Sequence, residues 1–119
     1  MHKIEINDVK KVIIATVSGF VTVDGAKNYI SDLEKTIKKI NASEYAFIID
    51  GTEQKTVGQD VVPYLKKAID IYIETPFRKK MYIELKSAVA SSQIKRVGAN
   101  PLAQHMIAVE SLEKALELA

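Results

Sequence analysis

Asp50, Thr52 and Thr56 stand close together between an apolar run that ends at Ile49 and a helical pattern that opens near Asp60. A hydroxyl placed just before a helix suits phosphorylation, because the phosphate meets unpaired N–H groups and the positive end of the helix dipole. Capping and turn formation are the commoner roles of threonine at such a place, so both readings stand side by side. Asp50, at the carboxyl end of the run, has the chemistry of a cation ligand or a base. No carboxylate or histidine cluster accompanies it, which favours a turn-anchoring role.

Other reactive side chains are sparse. His2 and His105 are the only histidines, and neither has a second ligand at metal-like spacing. The chain has no cysteine, hence neither disulfides nor thiolate chemistry. Gly19, Gly25, Gly51, Gly58 and Gly98 do not form a phosphate-binding loop or a dinucleotide fingerprint. No enzyme, metal or cofactor is expected from these residues, and a binding role is expected instead.

Two further groups invite a function. Tyr29, Tyr64, Tyr72, Phe77 and Tyr82 could line an apolar pocket for a lipid-like ligand, although large aromatics at helical spacing are more often core. Basic residues gather at Lys38-Lys39, Lys66-Lys67, Arg78-Lys79-Lys80 and Lys95-Arg96, the last within the polar stretch Ser91 to Arg96. The formal net charge is only +2, the signs are interspersed, and no aromatics interleave, so nucleic acid is not expected and these clusters read as solvated surface.

The elements that must position these residues follow from periodicity. Lys3 to Ile6 and Lys11 to Val17 flank the turn Asn7-Asp8 as a hairpin, with Phe20 to Val23 as an extension of the second strand and Asp24 as a helix N-cap. Ala26, Ile30, Leu33, Ile37 and Ile40 form one helical stripe. Tyr45 to Ile49 is apolar at successive positions, as in a strand covered on both faces, and closes at Asp50-Gly51. Pro63 is tolerated only in a first turn, which starts the next helix near Gln59 or Asp60, and Thr75-Pro76 ends it. Met81 to Leu85 predicts a strand, Ser87 to Val97 a helix, His105 to Val109 a last strand, and Ser111 caps a terminal helix.

This order defines an α/β fold with a mixed, mostly parallel sheet and about four helices. With 119 residues, 47% of them hydrophobic, the chain reads as a single domain spanning residues 1–119. No signal-peptide pattern or membrane-length apolar run is present, and the expected location is the cytoplasm.

The element order, the strand ending in Phe47-Ile48-Ile49-Asp50-Gly51-Thr52, and the closing phrase Val109-Glu110-Ser111-Leu112-Glu113-Lys114-Ala115-Leu116 together resemble the STAS domains, the anti-sigma-factor antagonists of the SpoIIAA type. The resemblance implies a partner surface at the loop after the central strand and the helix beyond it: Asp50, Gly51, Thr52, Thr56, Val57, Gly58 and Asp60. It also implies a protein partner, such as a kinase-like anti-sigma factor that phosphorylates a serine or threonine there. The family typically has aspartate, one or two Ser/Thr and a glycine directly before the helix. Here Thr52 keeps the spacing from the aspartate and Thr56 keeps the spacing to Gly58, so both are candidate phosphoacceptors.

Overall fold

The computed structural model describes residues 2–54, 58–83 and 105–119. The expected helix Ser87 to Val97, the polar stretch Ser91 to Arg96, Leu85, Thr56 and Val57 lie outside the described residues. Strand β1 (His2–Asn7) turns into β2 (Val12–Gly19), followed by α1 (Val23–Lys38), a 3-10 turn (Ala42–Glu44), β3 (Ala46–Gln54), α2 (Val62–Glu74), β4 (Lys79–Ile83), β5 (Ile107–Val109) and α3 (Leu112–Leu118). The sheet runs β1-β2-β3-β4-β5; β1 and β2 are antiparallel, and every other pairing is parallel.

Strand alternation divides the interior into two cores. Ile13 and Ala15 of β2 and Phe47 of β3 face α1 and α2, where they meet Tyr29, Ile30, Leu33, Ala68, Ile69 and Tyr72. Val12, Ala46, Ile48, Met81 and Ile83 point the other way and meet Ala115, with Leu112 and Leu116 packed alongside. The run Ala46–Ile48 is wholly buried because β3 feeds both cores at once.

Local chemistry moves several boundaries from their expected places. Gly19 has φ of 71°, a left-handed conformation that turns the chain out of β2, so Phe20 to Val23 does not extend the strand. Thr22, not Asp24, is the N-cap of α1: its hydroxyl accepts from the Gly25 N–H at 3.0 Å, and Asp24 lies in the first turn, where its charge complements the dipole. Helix α2 starts at Val62, beyond Gln59 and Asp60, because residues 58 to 61 form a turn in which the Val61 N–H donates to the Gly58 carbonyl at 3.0 Å. Pro63 still falls in the first turn, as its missing N–H requires. Strand β5 is shorter than expected and begins at Ile107.

Strand β4 carries a second device. Lys79 and Lys80 project to opposite faces, and each ammonium reaches a helix end: Lys79 Nζ donates to the Leu118 carbonyl of α3 and Lys80 Nζ to the Ile73 carbonyl of α2, both at 2.5 Å. Positive charge at a helix C-terminus satisfies carbonyls that have no intrahelical donor. Arg78 leans on the carbonyls of Glu44 and Lys11 at 3.4 and 3.5 Å. The basic triplet therefore serves the fold rather than forming the free solvated patch expected of it.

Tyr29 of α1 and Tyr72 of α2 hydrogen-bond to each other through their hydroxyls inside the first core. Burial raises both phenols above the ordinary value of 10.0, and for Tyr72 the neighbouring Tyr29 adds to the rise. An unfolded phenol ionises near pH 10, so the stability due to this pair is present below that pH and is lost as pH rises toward the folded values. Urea unfolding should show a lower midpoint at pH 11 than at pH 9, with a smaller drop in Tyr29→Phe/Tyr72→Phe. The single change Tyr72→Phe leaves a buried donor unmatched and should cost about 1–3 kcal/mol at pH 7. The double variant should cost less than the two single variants added together.

Candidate functional site

Strand β3 does not stop at Asp50-Gly51; it continues to Gln54. The reason lies in the neighbouring strand. Thr16 pairs with Asp50, and Ser18 pairs with Glu53, so β3 accommodates one extra residue at Gly51-Thr52 and then resumes pairing through Gly19 and Gln54. This bulge sits at the carboxyl end of a central parallel strand, the end where open α/β sheets place their sites.

Inside the bulge, Asp50 Oδ1 accepts two hydrogen bonds from Thr52, one from its backbone N–H at 3.1 Å and one from its hydroxyl at 2.7 Å. Asp50 thus acts as the turn anchor that its sequence position favoured. Both residues are half-buried, Gly51 is buried and Glu53 is exposed. Thr52 consequently belongs to a strand bulge, not to a helix cap, and its hydroxyl donates to a carboxylate.

The start of α2 gives a different picture from the one expected for a phosphate cradle. The Val61 and Val62 N–H groups donate to the Gly58 and Gln59 carbonyls, Pro63 has none, and the Tyr64 N–H donates to the Val61 carbonyl. No side chain caps this helix, and the turn itself occupies the donors. The Asp60 side chain folds back over Gly58: a Cβ on Gly58 would stand 2.7 Å from Asp60 Oδ1. Asp50, Gly51 and Thr52 are brought together, Gly58 and Asp60 form a separate turn, and Thr56 and Val57 fall outside the described residues.

Phe20 lies just past the end of β2. Its ring is 72% exposed, and it directly follows Gly19, whose strand partner is Gln54 at the end of β3. The sequence reading places Phe20 in an extension of the second strand, and its exposure follows from the end of β2 at Gly19.

The five aromatics proposed for a pocket are not equivalent. Tyr29, Tyr72 and Phe77 are buried, and Phe47 links two of them, with ring centroids 4.9 Å from both Tyr72 and Phe77. Tyr64 and Tyr82 are half-buried at the margin of this cluster. A cleft of about 330 Å³ lies outside it, between α1 and α2, and Tyr64 is the member of the set that lines it. His2 ties β1 to α1, with Nε2 2.7 Å from the Asp32 carboxylate and its ring edge-on to Tyr29. Among the described residues no three His, Asp or Glu side chains converge as a metal site, and no helix is long and apolar enough to cross a membrane.

No family model matches the chain, and no curated protein sequence is similar to it. Solved structures are. An anti-sigma factor antagonist from Mycobacterium paratuberculosis superposes with a TM-score of 0.68 at 14% identity, covering 99% of this chain and 92% of that one. A variant of RsbS from Moorella thermoacetica gives 0.73 at 15% identity, covering 98% and 92%. An uncharacterized DUF3478-family protein with a SpoIIAA-like fold from Shewanella loihica gives 0.67 at 16% identity, covering 99% and 91%. The chain has the SpoIIAA-like, or STAS, fold.

Removing the Asp50 carboxylate releases two Thr52 donors, which water reaches because the site is half-exposed. Asp50→Ala should therefore cost only about 1 kcal/mol in urea unfolding, while amide exchange at Thr52 and Glu53 accelerates. Unchanged exchange at Thr52 would show that Asp50 does not hold the bulge.

Proposed function

We propose that the chain is a cytoplasmic regulatory domain that binds a protein partner at the end of the sheet where β3 emerges, with Thr52 as its phosphorylation switch. The observation that carries this reading is the Thr52 hydroxyl donating to Asp50 at 2.7 Å in a half-buried bulge, on a strand whose last pairing, Gln54 with Gly19, leads into the exposed Phe20. A phosphate on Thr52 removes that donor and places about two negative charges against the Asp50 carboxylate. Like charges about 4 Å apart near a protein surface repel by roughly 1–4 kcal/mol, enough to open a bulge without unfolding a sheet.

Phe20 supplies what a switch alone lacks, an anchor. Exposed aromatic rings that become buried on association carry a disproportionate share of binding energy. The likeness in fold to an anti-sigma factor antagonist supports a partner of that class, an anti-sigma factor or kinase-like regulator. Thr56 remains the alternative phosphoacceptor, and Val57, Gly58 and Asp60, the residues between it and α2, complete the set of candidate contacts.

The test is quantitative capture of native-lysate proteins on immobilised wild type, Thr52→Ala, Thr52→Glu, Thr56→Glu and Phe20→Ala, with mass spectrometry of the native protein for phosphothreonine. Capture of one partner should survive Thr52→Ala, fall with Thr52→Glu, and fall about tenfold or more with Phe20→Ala. Equal recovery with every variant, together with unmodified threonines, would remove both the switch and the surface.

A further inference from the structure

The cleft between α1 and α2 is lined by Lys27, Lys35 and Lys38 from α1 and by Lys67 from α2, with Glu34 as the acidic residue beside them and Ile30, Ser31 and Tyr64 completing the wall. All four lysines are exposed. The ion pairs among the described residues are His2–Asp32, Lys3–Glu5 and Lys114–Glu117, so none of the cleft lysines forms an ion pair with a described carboxylate, and Glu34 lies among four ammoniums. Lys27 is instead directed over the Tyr64 ring, 5.7 Å from its centroid, which places its ammonium at the cleft rather than leaving it to wander in solvent.

We propose that this cleft binds an extended acidic peptide segment of a protein partner. Lys27, Lys35 and Lys38 recur at helical spacing along one side of α1 and span about 16 Å, a distance that roughly five residues of extended chain cover. Charge distributed along a line matches a row of carboxylates better than one compact anion. A bound phosphate group would need several converging N–H or O–H donors around one point, whereas the lining offers ammoniums spread along α1, one on α2, and the Ser31 and Tyr64 hydroxyls. A nucleic acid would need free aromatic faces for its bases, whereas the Tyr64 face is already taken by Lys27. Ile30 and Ser31 between the lysines give the mixed apolar and polar floor that peptide backbone and small side chains can lie on. This site is separate from the Asp50–Thr52 bulge and does not rest on the reading of Thr52 as a switch.

A fluorescein-labelled decapeptide of alternating Glu and Ser, titrated against the full chain and followed by anisotropy, tests the site. Saturable binding should weaken with added salt and should weaken about tenfold or more in Lys35→Glu/Lys67→Glu, which places two repulsive charges in the cleft. Lys10→Glu/Lys114→Glu, exposed positions elsewhere with the same change in net charge, should alter it by less than about twofold. Amide shifts in the wild type should map to residues 27–38 and 64–67, a readout independent of any variant. Equal weakening by both double variants, shifts scattered over lysines on all faces, absence of saturation, or tighter binding of inorganic tripolyphosphate or a ten-nucleotide oligothymidylate would each overturn the assignment.

Discussion

Strand β3 is covered on both faces, and most of the architecture follows from that condition. A strand in this situation must present apolar side chains at consecutive positions, and Ala46, Phe47 and Ile48 do so with no exposure. Phe47 commits one face to the aromatic cluster beneath α1 and α2, whereas Ala46 and Ile48 commit the other to the core under α3. Only where the strand passes beyond the helices can it carry Asp50, Thr52 and Glu53. The candidate site is thus the first stretch of β3 that the two cores leave unclaimed, and its polarity is a consequence of position as much as of selection for chemistry.

Much of the framework was legible in the sequence. The consecutive apolar run marked β3 as central, the Asn7-Asp8 turn marked the hairpin, the Ala26–Leu33 stripe marked α1, and Ser111 marked the start of α3, where its side chain accepts from the Lys114 N–H at 3.2 Å. The errors share a physical origin. Asp50-Gly51-Thr52 contains strong turn formers, so local chemistry argues that the strand stops there; the parallel ladder with Ser18 and Gly19 overrides this by admitting a bulge. Thr22 and Asp24 are both good N-caps, and the helix opens at Val23, so Thr22 is the residue whose hydroxyl reaches the Gly25 N–H and Asp24 falls inside the first turn.

The site itself was partly legible. The sequence brought Asp50 and Thr52 together as neighbours and correctly singled out the aspartate as an anchor, because that interaction is local. Tertiary consequences were hidden. Nothing in the run Arg78-Lys79-Lys80 says that its charges meet helix carbonyls on two faces, since that depends on the pleat of β4 and on where α2 and α3 end. Likewise, the lysines of α1 read as a solvated face until α2 is placed beside them and turns that face into one wall of a cleft.

The hydroxyl pair of Tyr29 and Tyr72 gives that cleft a property that apolar packing alone does not. Dispersion between two helices is tolerant of small rotations, because ridges can shift in their grooves with little penalty. A hydrogen bond between one residue of each helix, buried where water cannot replace it, is not tolerant: rolling either helix about its axis separates the oxygens. Tyr29 and Ile30 are adjacent on α1, so the bond that orients one also sets the angular phase of the residues beside it. The two helices behave as meshed gears with a locking pin, and the spacing between the lysine row of α1 and Lys67 of α2 is inherited from a contact in the dry interior.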